Sequence, residues 1–218
     1  MIKAFIFDMD GVIIDSEPLH FEVDELTGRH FGVDVNKEYL ERFVGMTNPE
    51  MWRIIREEHG IPHTVDEIIA FQSEKKLRHL EALEIEPIDG IRDLLEELRR
   101  HDIAIGLASS SPRVFIEAVL AKFKIRDDFT CIVSGEEVAN GKPAPDIYLE
   151  AARQLGVSPE QCVVLEDSRN GALAAKRAGM RCIGFANPNS GHQDLSAADR
   201  IVRSIGEIKV AGLMNIHD

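Results

Sequence analysis

No run of this 218-residue sequence is apolar for long enough to approach a membrane span. Cysteine is scarce. Cys131, Cys162 and Cys182 are odd in number, form no CxxC pair and lie in or beside apolar runs, so they read as small core residues in a reducing compartment rather than as a disulfide framework or a zinc site. Basic clusters are lacking too. The 25 Lys and Arg are outnumbered by 38 Asp and Glu, giving a formal charge of −13, and no block of them stands out, which argues against a nucleic-acid or anionic-membrane partner. The start passes from Met1 directly into a short strand-like run, without a charged segment followed by an apolar one. No signal peptide is expected, and the cytoplasm is the expected location. Neither internal repeats nor low-complexity segments occur.

What is present is 44% apolar residues, enough for a sizeable core, arranged as short runs that end at polar or small residues. "KAFIFD", "IAIGLASS", "CIVSG", "CVVLED" and "RCIGFA" begin at Lys3, Ile103, Cys131, Cys162 and Arg181. Continuous runs of this kind suit strands buried on both faces of a parallel sheet. Helical patterns separate them. "GIRDLLEELRRH" places Ile91, Leu94, Leu95 and Leu98 on one face, and "SPRVFIEAVLAKF" suggests Ser111 as N-cap with Pro112 at the first helical position. "APDIYLEAARQLG" and "RNGALAAKRAG" are stopped by Gly156 and Gly179. This β–α alternation predicts an α/β fold with a doubly wound, Rossmann-like parallel sheet.

Residues 16–86 read differently. Helical patterns cover Pro18–Phe31, Glu38–Phe43, Pro49–His59 and Val65–Leu83, with turn signals at Gly32, Gly45, Gly60 and Pro62 and no convincing strand. An all-helical cap domain is therefore expected over 16–86, inserted into a core made of 1–15 and 87–218, and placed over the sheet end where the first strand's carboxylates emerge. Met51 and Trp52 suit packing inside the cap, and the stretch "DELTGRHFGVD" from Asp24 reads as a solvated face. His59, His63, His79 and His101 show no metal-ligand spacing and read as surface residues. The C-terminal "IKVAGLMNIHD" predicts a last helix and a loose end.

Ligands of an open parallel sheet bind at the carboxyl ends of its strands. Those ends carry Asp8 and Asp10, Ser109 and Ser110, and Glu166 and Asp167, with Lys142 on a nearby loop. Several ionised acids in one crevice raise one another's pKa unless compensated. An all-oxygen donor set suits Mg²⁺, and Lys142 adds a second compensating charge. One of the acids at Asp8 and Asp10 can then be a nucleophile and the other a general acid and base, while Gly11 lets the chain turn tightly past the reacting group. The segment "GEEVANGKP" is not a P-loop, because its spacing is one residue too long and Pro143 replaces the Ser or Thr.

In order, "DMDGV", "LASSS", "GKPAPD" and "LEDS" resemble the motifs of the haloacid dehalogenase superfamily of phosphotransferases, and the helical insert looks like the cap of the subgroup holding β-phosphoglucomutase and small sugar-phosphate phosphatases. The resemblance implies that Asp8 attacks phosphorus and becomes an aspartyl phosphate, and that Asp10 protonates the leaving group and then activates water. It implies that Ser109 and the amides after it, Ser110 included, bind phosphoryl oxygens, and that Lys142 neutralises charge between Asp8 and phosphate. It further implies a Mg²⁺ held by Asp8, the Asp10 backbone carbonyl and Asp167, with Glu166 as a direct or water-mediated ligand. The dehalogenases lack a carboxylate at the place of Asp10, so the chain is similar to the phosphoryl-transfer members. In the cap, His20 falls where the mutase-like subgroup also has histidine. By ungapped matching, Asn48 stands where β-phosphoglucomutase has the arginine that grips a second phosphate. A neutral amide lacks that bidentate fork. Lys75, Lys76, Arg53 and Arg56 are the cations nearby in sequence.

The expected activity is a Mg²⁺-dependent phosphatase, a monomer acting on a small phosphorylated metabolite of the sugar-phosphate kind, with cap closure excluding water. A hexose-phosphate mutase and a non-catalytic phosphometabolite-binding protein are the alternatives.

Overall fold

The computed structural model describes residues 1–43 and 47–214. The chain forms two compact units, one made of Met1–Asp15 with Ile85–Asp218 and the other of Ser16–Glu84.

The first unit is built on β1 (Ala4–Phe7), β2 (Ala104–Ser109), β3 (Cys131–Ser134), β4 (Cys162–Glu166), β5 (Arg181–Phe185) and β6 (Arg200–Val202). They form one sheet in the order β3-β2-β1-β4-β5-β6, and every pairing is parallel. This is the doubly wound arrangement that the β–α alternation predicts. In the register, Phe7 stands opposite Leu107 of β2 and Leu165 of β4. The carboxyl ends of three strands therefore lie side by side at the centre of the sheet. The sixth strand is not foreshadowed in the sequence: it is three residues long, and Arg200 and Ile201 are exposed, so no apolar run marks it.

Alternation along β1 divides the core. Ala4 and Ile6 join a cluster with Ala108, Val133, Val164 and the small side chains of α7 (Asp146–Leu155) and α8 (Arg169–Arg177), where Ala151, Ala152, Ala172, Ala174 and Ala175 allow close helix–sheet approach. Phe5 and Phe7 are equally buried, with ring centroids 4.8 Å apart. Helix α5 (Ile91–Arg100) buries the four predicted residues Ile91, Leu94, Leu95 and Leu98. Helix α6 (Arg113–Phe123) departs from expectation at its start: Pro112 is the N-cap, no side chain caps the helix, and the Ser111 hydroxyl is directed elsewhere. The last helix, α9, is Val210–Met214, and residues 215–218, the expected loose end, lie outside the described residues.

The helical unit contains α1 (Glu17–His30), α2 (Lys37–Glu41), α3 (Asn48–His59) and α4 (Val65–Ala82), with no strand among the described residues. Trp52 and Met51 belong to its apolar core with Val33, Val35, Phe43, Ile55 and Ile68. A reciprocal Thr64–Glu67 capping box starts α4, and Gly60 ends α3 in the left-handed conformation at φ 64°. The turn expected at Gly45 lies outside the described residues. The reading of Asp24–Asp34 as a solvated face is corrected: Asp24, Thr27 and Gly28 are buried on α1, which runs on to His30, and Val33 beyond it joins the apolar core. No helix among the described residues is long and apolar enough to cross a membrane.

All three cysteines are buried and unpaired. Burial pushes the Cys131 thiol up to about 11 and those of Cys162 and Cys182 up to about 12. A thiol-reactive disulfide reagent should therefore label none of them in the native protein and all three after denaturation. Rapid native labelling of any one would contradict their placement in the core.

Candidate active site

Asp8 directly follows β1, and the next residues curl tightly: the amides of Val12, Ile13 and Ile14 point to the Met9 carbonyl, while Gly11 donates to the Ile14 carbonyl at 2.8 Å. The curl requires glycine at position 11. Its φ is +74°, and a Cβ there would lie 2.0 Å from Asp167 Oδ2 and 2.6 Å from Ser190 Oγ. Asp167 follows β4, so register alone brings it beside the Asp8 loop. A second close approach occurs at Gly171 of α8, where a Cβ would be 1.5 Å from Glu166 Oε1.

Lys142, on the loop between β3 and α7, is the hub. Its Nζ donates to Asp8 Oδ1 at 2.7 Å, to Glu166 Oε1 at 2.7 Å and to the Ala108 carbonyl at 3.2 Å. Glu166 is fully buried and fully engaged: the Tyr148 hydroxyl donates to Oε1 at 2.8 Å, and the Ser168 amide and hydroxyl each donate to Oε2 at 2.9 Å. Ser168 also serves as the N-cap of α8, so capping of that helix does not fall to the two acids. Lys142 Nζ further lies 4.9 Å from the Tyr148 ring centroid.

Asp10 has different partners. Its Oδ2 accepts from Ser111 Oγ at 2.7 Å and from Ser109 Oγ at 3.4 Å. Ser109 Oγ in turn accepts from the Ser111 amide at 3.0 Å, and Ser134 Oγ donates to the Ser111 carbonyl at 2.8 Å, which fixes the loop after β2. Ser111 is thus a site residue and not the expected helix cap. The side chain of Ser110 is exposed, while its backbone lies against Gly135.

The structure therefore brings together Asp8, Asp10, Ser109, Lys142, Glu166 and Asp167. His20 and Asn48 belong to the helical unit, on α1 and at the start of α3. The Asn48 amide donates to Gln72 Oε1 at 3.2 Å, and Gln72 donates to the buried Asp24 carboxylate. Burial raises the Asp24 pKa, with the Gln72 hydrogen bond and then the charges of Lys76 and His20 opposing. Of the cations nearby, Arg53 pairs with Glu57 at 3.3 Å, Arg56 donates to the His63 carbonyl at 2.6 Å, Lys75 lies over the Phe71 ring, and Lys76 is buried. Tyr148, Ser168 and Ser111 escape sequence reasoning. Tyr148 sits within an ordinary amphipathic pattern, and adjacent serines cannot be ranked before the loop conformation is known.

Electrostatics make the core of the site a place for a cation. Carboxylate oxygens of Asp8, Glu166 and Asp167 lie within 4.8 Å of one another, all three residues are buried, and among the described residues one ammonium pairs with them, too little to compensate three ionised acids. Burial pushes Asp8 well above the carboxylate range, Lys142 pulling it back only in part. Burial, then the Glu166 charge, brings Asp167 up to about 7. Glu166 is the exception: burial opposes its ionisation, but Lys142 and the other hydrogen bonds hold it below the usual range. Lys142 is held above its usual value, since Asp8 and Glu166 outweigh the burial that opposes its charge. An all-oxygen set of this kind fits a hard divalent cation.

The pKa of Asp167 gives the sign of a test. Between 3.8 and about 7 the folded, metal-free protein retains a proton that the unfolded chain has released, so this group's contribution to stability falls as pH rises through that window. A divalent cation removes the penalty. The rise in Tm produced by Mg²⁺ over EDTA should thus be larger at about pH 8 than at about pH 5, and Asp167→Asn should diminish the difference. An equal or larger rise at the lower pH would contradict this electrostatic picture.

Known proteins match along the whole of this framework. The model of the family described as haloacid dehalogenase-like hydrolase matches residues 5–185. Hexitol phosphatase B of Escherichia coli (strain K12) is 35% identical over 196 residues, covering 87% of this chain and 86% of its own. The β-phosphoglucomutase of Bacillus subtilis (strain 168) is 34% identical over 213 residues, with 95% and 92% covered. The crystal structure of a mutant CbbY from Rhodobacter sphaeroides in complex with xylulose-(1,5)bisphosphate has a TM-score of 0.89 at 33% identity, covering 98% of this chain and 99% of that one. The fold, the convergent strand ends and these relatives lead to one assignment: the chain is an enzyme belonging to the haloacid dehalogenase-like hydrolase family.

Proposed function

We propose that this enzyme is a Mg²⁺-dependent phosphatase that hydrolyses a small sugar phosphate through an aspartyl-phosphate intermediate. The observation that carries the reading is the unequal treatment of two carboxylates two residues apart. Asp8 faces the Lys142 ammonium at 2.7 Å, whereas Asp10 faces the hydroxyls of Ser111 and Ser109. Separate environments suit separate roles.

The Asp8 carboxylate attacks phosphorus as the bond to the leaving oxygen breaks, and Asp10 gives that oxygen its proton. Asp10 then takes a proton from the water that attacks the phosphorus of the aspartyl phosphate. Inorganic phosphate leaves and the Asp8 carboxylate is regenerated. Lys142 favours the anionic form of Asp8 against the burial that opposes it, and offers positive charge to phosphoryl oxygens. Ser109 and the backbone amide of Ser110 bind those oxygens. Glu166, with all its acceptor capacity engaged, keeps Lys142 in place. Asp8, the Asp10 carbonyl and Asp167 would hold Mg²⁺, with Glu166 behind them. When bound, that ion supplies the positive charge that lets the acids and a phosphoryl group coexist.

His20 and Asn48 are the proposed substrate contacts of the helical unit. A sugar phosphate is supported by the relatives named for a hexitol phosphate and crystallised with a xylulose bisphosphate. The β-phosphoglucomutase relative favours a second reading, return of the phosphoryl group to the sugar. Against it stand the neutral Asn48 and the engagement of its amide with Gln72, which leave position 48 without an arginine-like fork for a second phosphate. We place the enzyme in the cytoplasm as a monomer, with neither nucleic acid nor membrane as partner.

A phosphate-release screen over sugar phosphates, phosphoglycolate and nucleotides should give turnover that EDTA abolishes and Mg²⁺ restores, with no isomerised product. Asp8→Asn should lower kcat by about 10³-fold or more while the protein stays folded. Near-normal turnover by that variant, or full activity in chelator, would remove the mechanism, and isomerised sugar without net phosphate release would favour the mutase.

A further inference from the structure

Two asparagines on the loop after β5 hold the catalytic turn from the far side. Asn187 is 6% exposed. Its Nδ2 donates to the Gly11 carbonyl at 2.9 Å and to Asp15 Oδ1 at 2.7 Å, and its Oδ1 accepts from the Asn189 amide at 2.9 Å. Asn189 Nδ2 completes the clasp on Asp15 Oδ2 at 2.7 Å. One carboxylate is thus gripped by two amides, each bond assisted by its charge. The two pinned points are not arbitrary. Gly11 follows Asp10, and Asp15 is the last residue of its unit before the chain passes into the helical unit.

The side chain of Asp10 accepts from two serine hydroxyls on the β2 side. Its backbone is set by the curl, in which the Gly11 amide is held by Ile14 and the Gly11 carbonyl by Asn187. Gly11 is a residue whose backbone is free to relax once a restraint is lost. We infer that Asn187 is a positioning residue for the reaction: through the Gly11 carbonyl it fixes where Asp10 stands, and through Asp15 it fixes where the catalytic loop ends. This rests on the reading of Asp10 as the proton-transferring group. Misplacement of such a group by about 1 Å is enough to cost on the order of 10²-fold in rate.

The test is steady-state phosphate release by Asn187→Leu, which keeps similar volume and removes both donors, in parallel with wild type and Asp8→Asn. Asn187→Leu should lower kcat by about 10- to 100-fold per folded molecule, counted by circular dichroism, with KM within about threefold of wild type. A kcat within about twofold of wild type, or a loss explained wholly by the unfolded fraction, would overturn the inference. Should Asn187→Leu not fold, the exposed Asn189→Ala decides: a fall in kcat of about threefold or more at unchanged KM supports the clasp, and an unchanged kcat overturns it. Active Asn187→Leu beside dead Asp8→Asn refutes the positioning role alone, whereas wild type inert on every substrate refutes it together with the proposed function.

Discussion

The ammonium group of Lys142 lies 2.7 Å from Asp8 and 2.7 Å from Glu166, in a pocket of the sheet where all three side chains are nearly inaccessible to water. Breaking a buried pair of this kind by removing one partner leaves an uncompensated charge, which is among the more costly single changes a protein can undergo. Around this contact the rest is arranged. The Ala108 carbonyl gives the lysine a third partner, Tyr148 and Ser168 fix Glu166, and Gly171 leaves room for that carboxylate against α8. The consequence for chemistry is that one acid of the Asp8–Asp10 pair is paired with a cation and aimed, while the other accepts from serine hydroxyls.

The compensation is incomplete. Burial, and then the neighbouring carboxylates, raise Asp8 and Asp167 against the pull of Lys142, while Glu166 is held below the usual range. A site of this kind is in tension without a further positive charge, and the tension is local: the net charge of the chain, −13, adds to it instead of relieving it. In the proposed mechanism a divalent ion would make room electrostatically for an incoming phosphoryl group. In the helical unit the buried carboxylate Asp24 is handled by other means, with a hydrogen bond from Gln72 foremost and the charge of Lys76 beside it.

Much of this was legible in the sequence because parallel strands buried on both faces write themselves as unbroken apolar runs, and their ends are where chemistry emerges. "KAFIFD" and "CVVLED" foretell both the strands and the acids, and the register then needs no further information to place Asp8 beside Glu166. The helices of the small unit were equally readable from their turns at Gly32 and Gly60. Four features were not. β6 is too short and too exposed to carry a pattern. Asp24 looks like a surface acid because its partners, Gln72 and Lys76, come from a helix some fifty residues away, the Gln72 contact spanning 48 positions. Ser111 resembles a helix cap by composition, yet its hydroxyl serves Asp10, a choice made by the conformation of a loop that Ser134 holds. The clasp of Asn187 on Gly11 joins residues 176 positions apart, and no local signal can announce it.

In the proposed mechanism the carboxylate that reacts is the one held by Lys142. Acid quenching of the enzyme during turnover of a phosphorylated substrate, followed by peptide mass spectrometry, reads this directly. A transient phosphoryl group is expected on the peptide bearing Asp8, located at Asp8 itself. Phosphate release with the label on another residue, or with no covalent label at any time point, would contradict it.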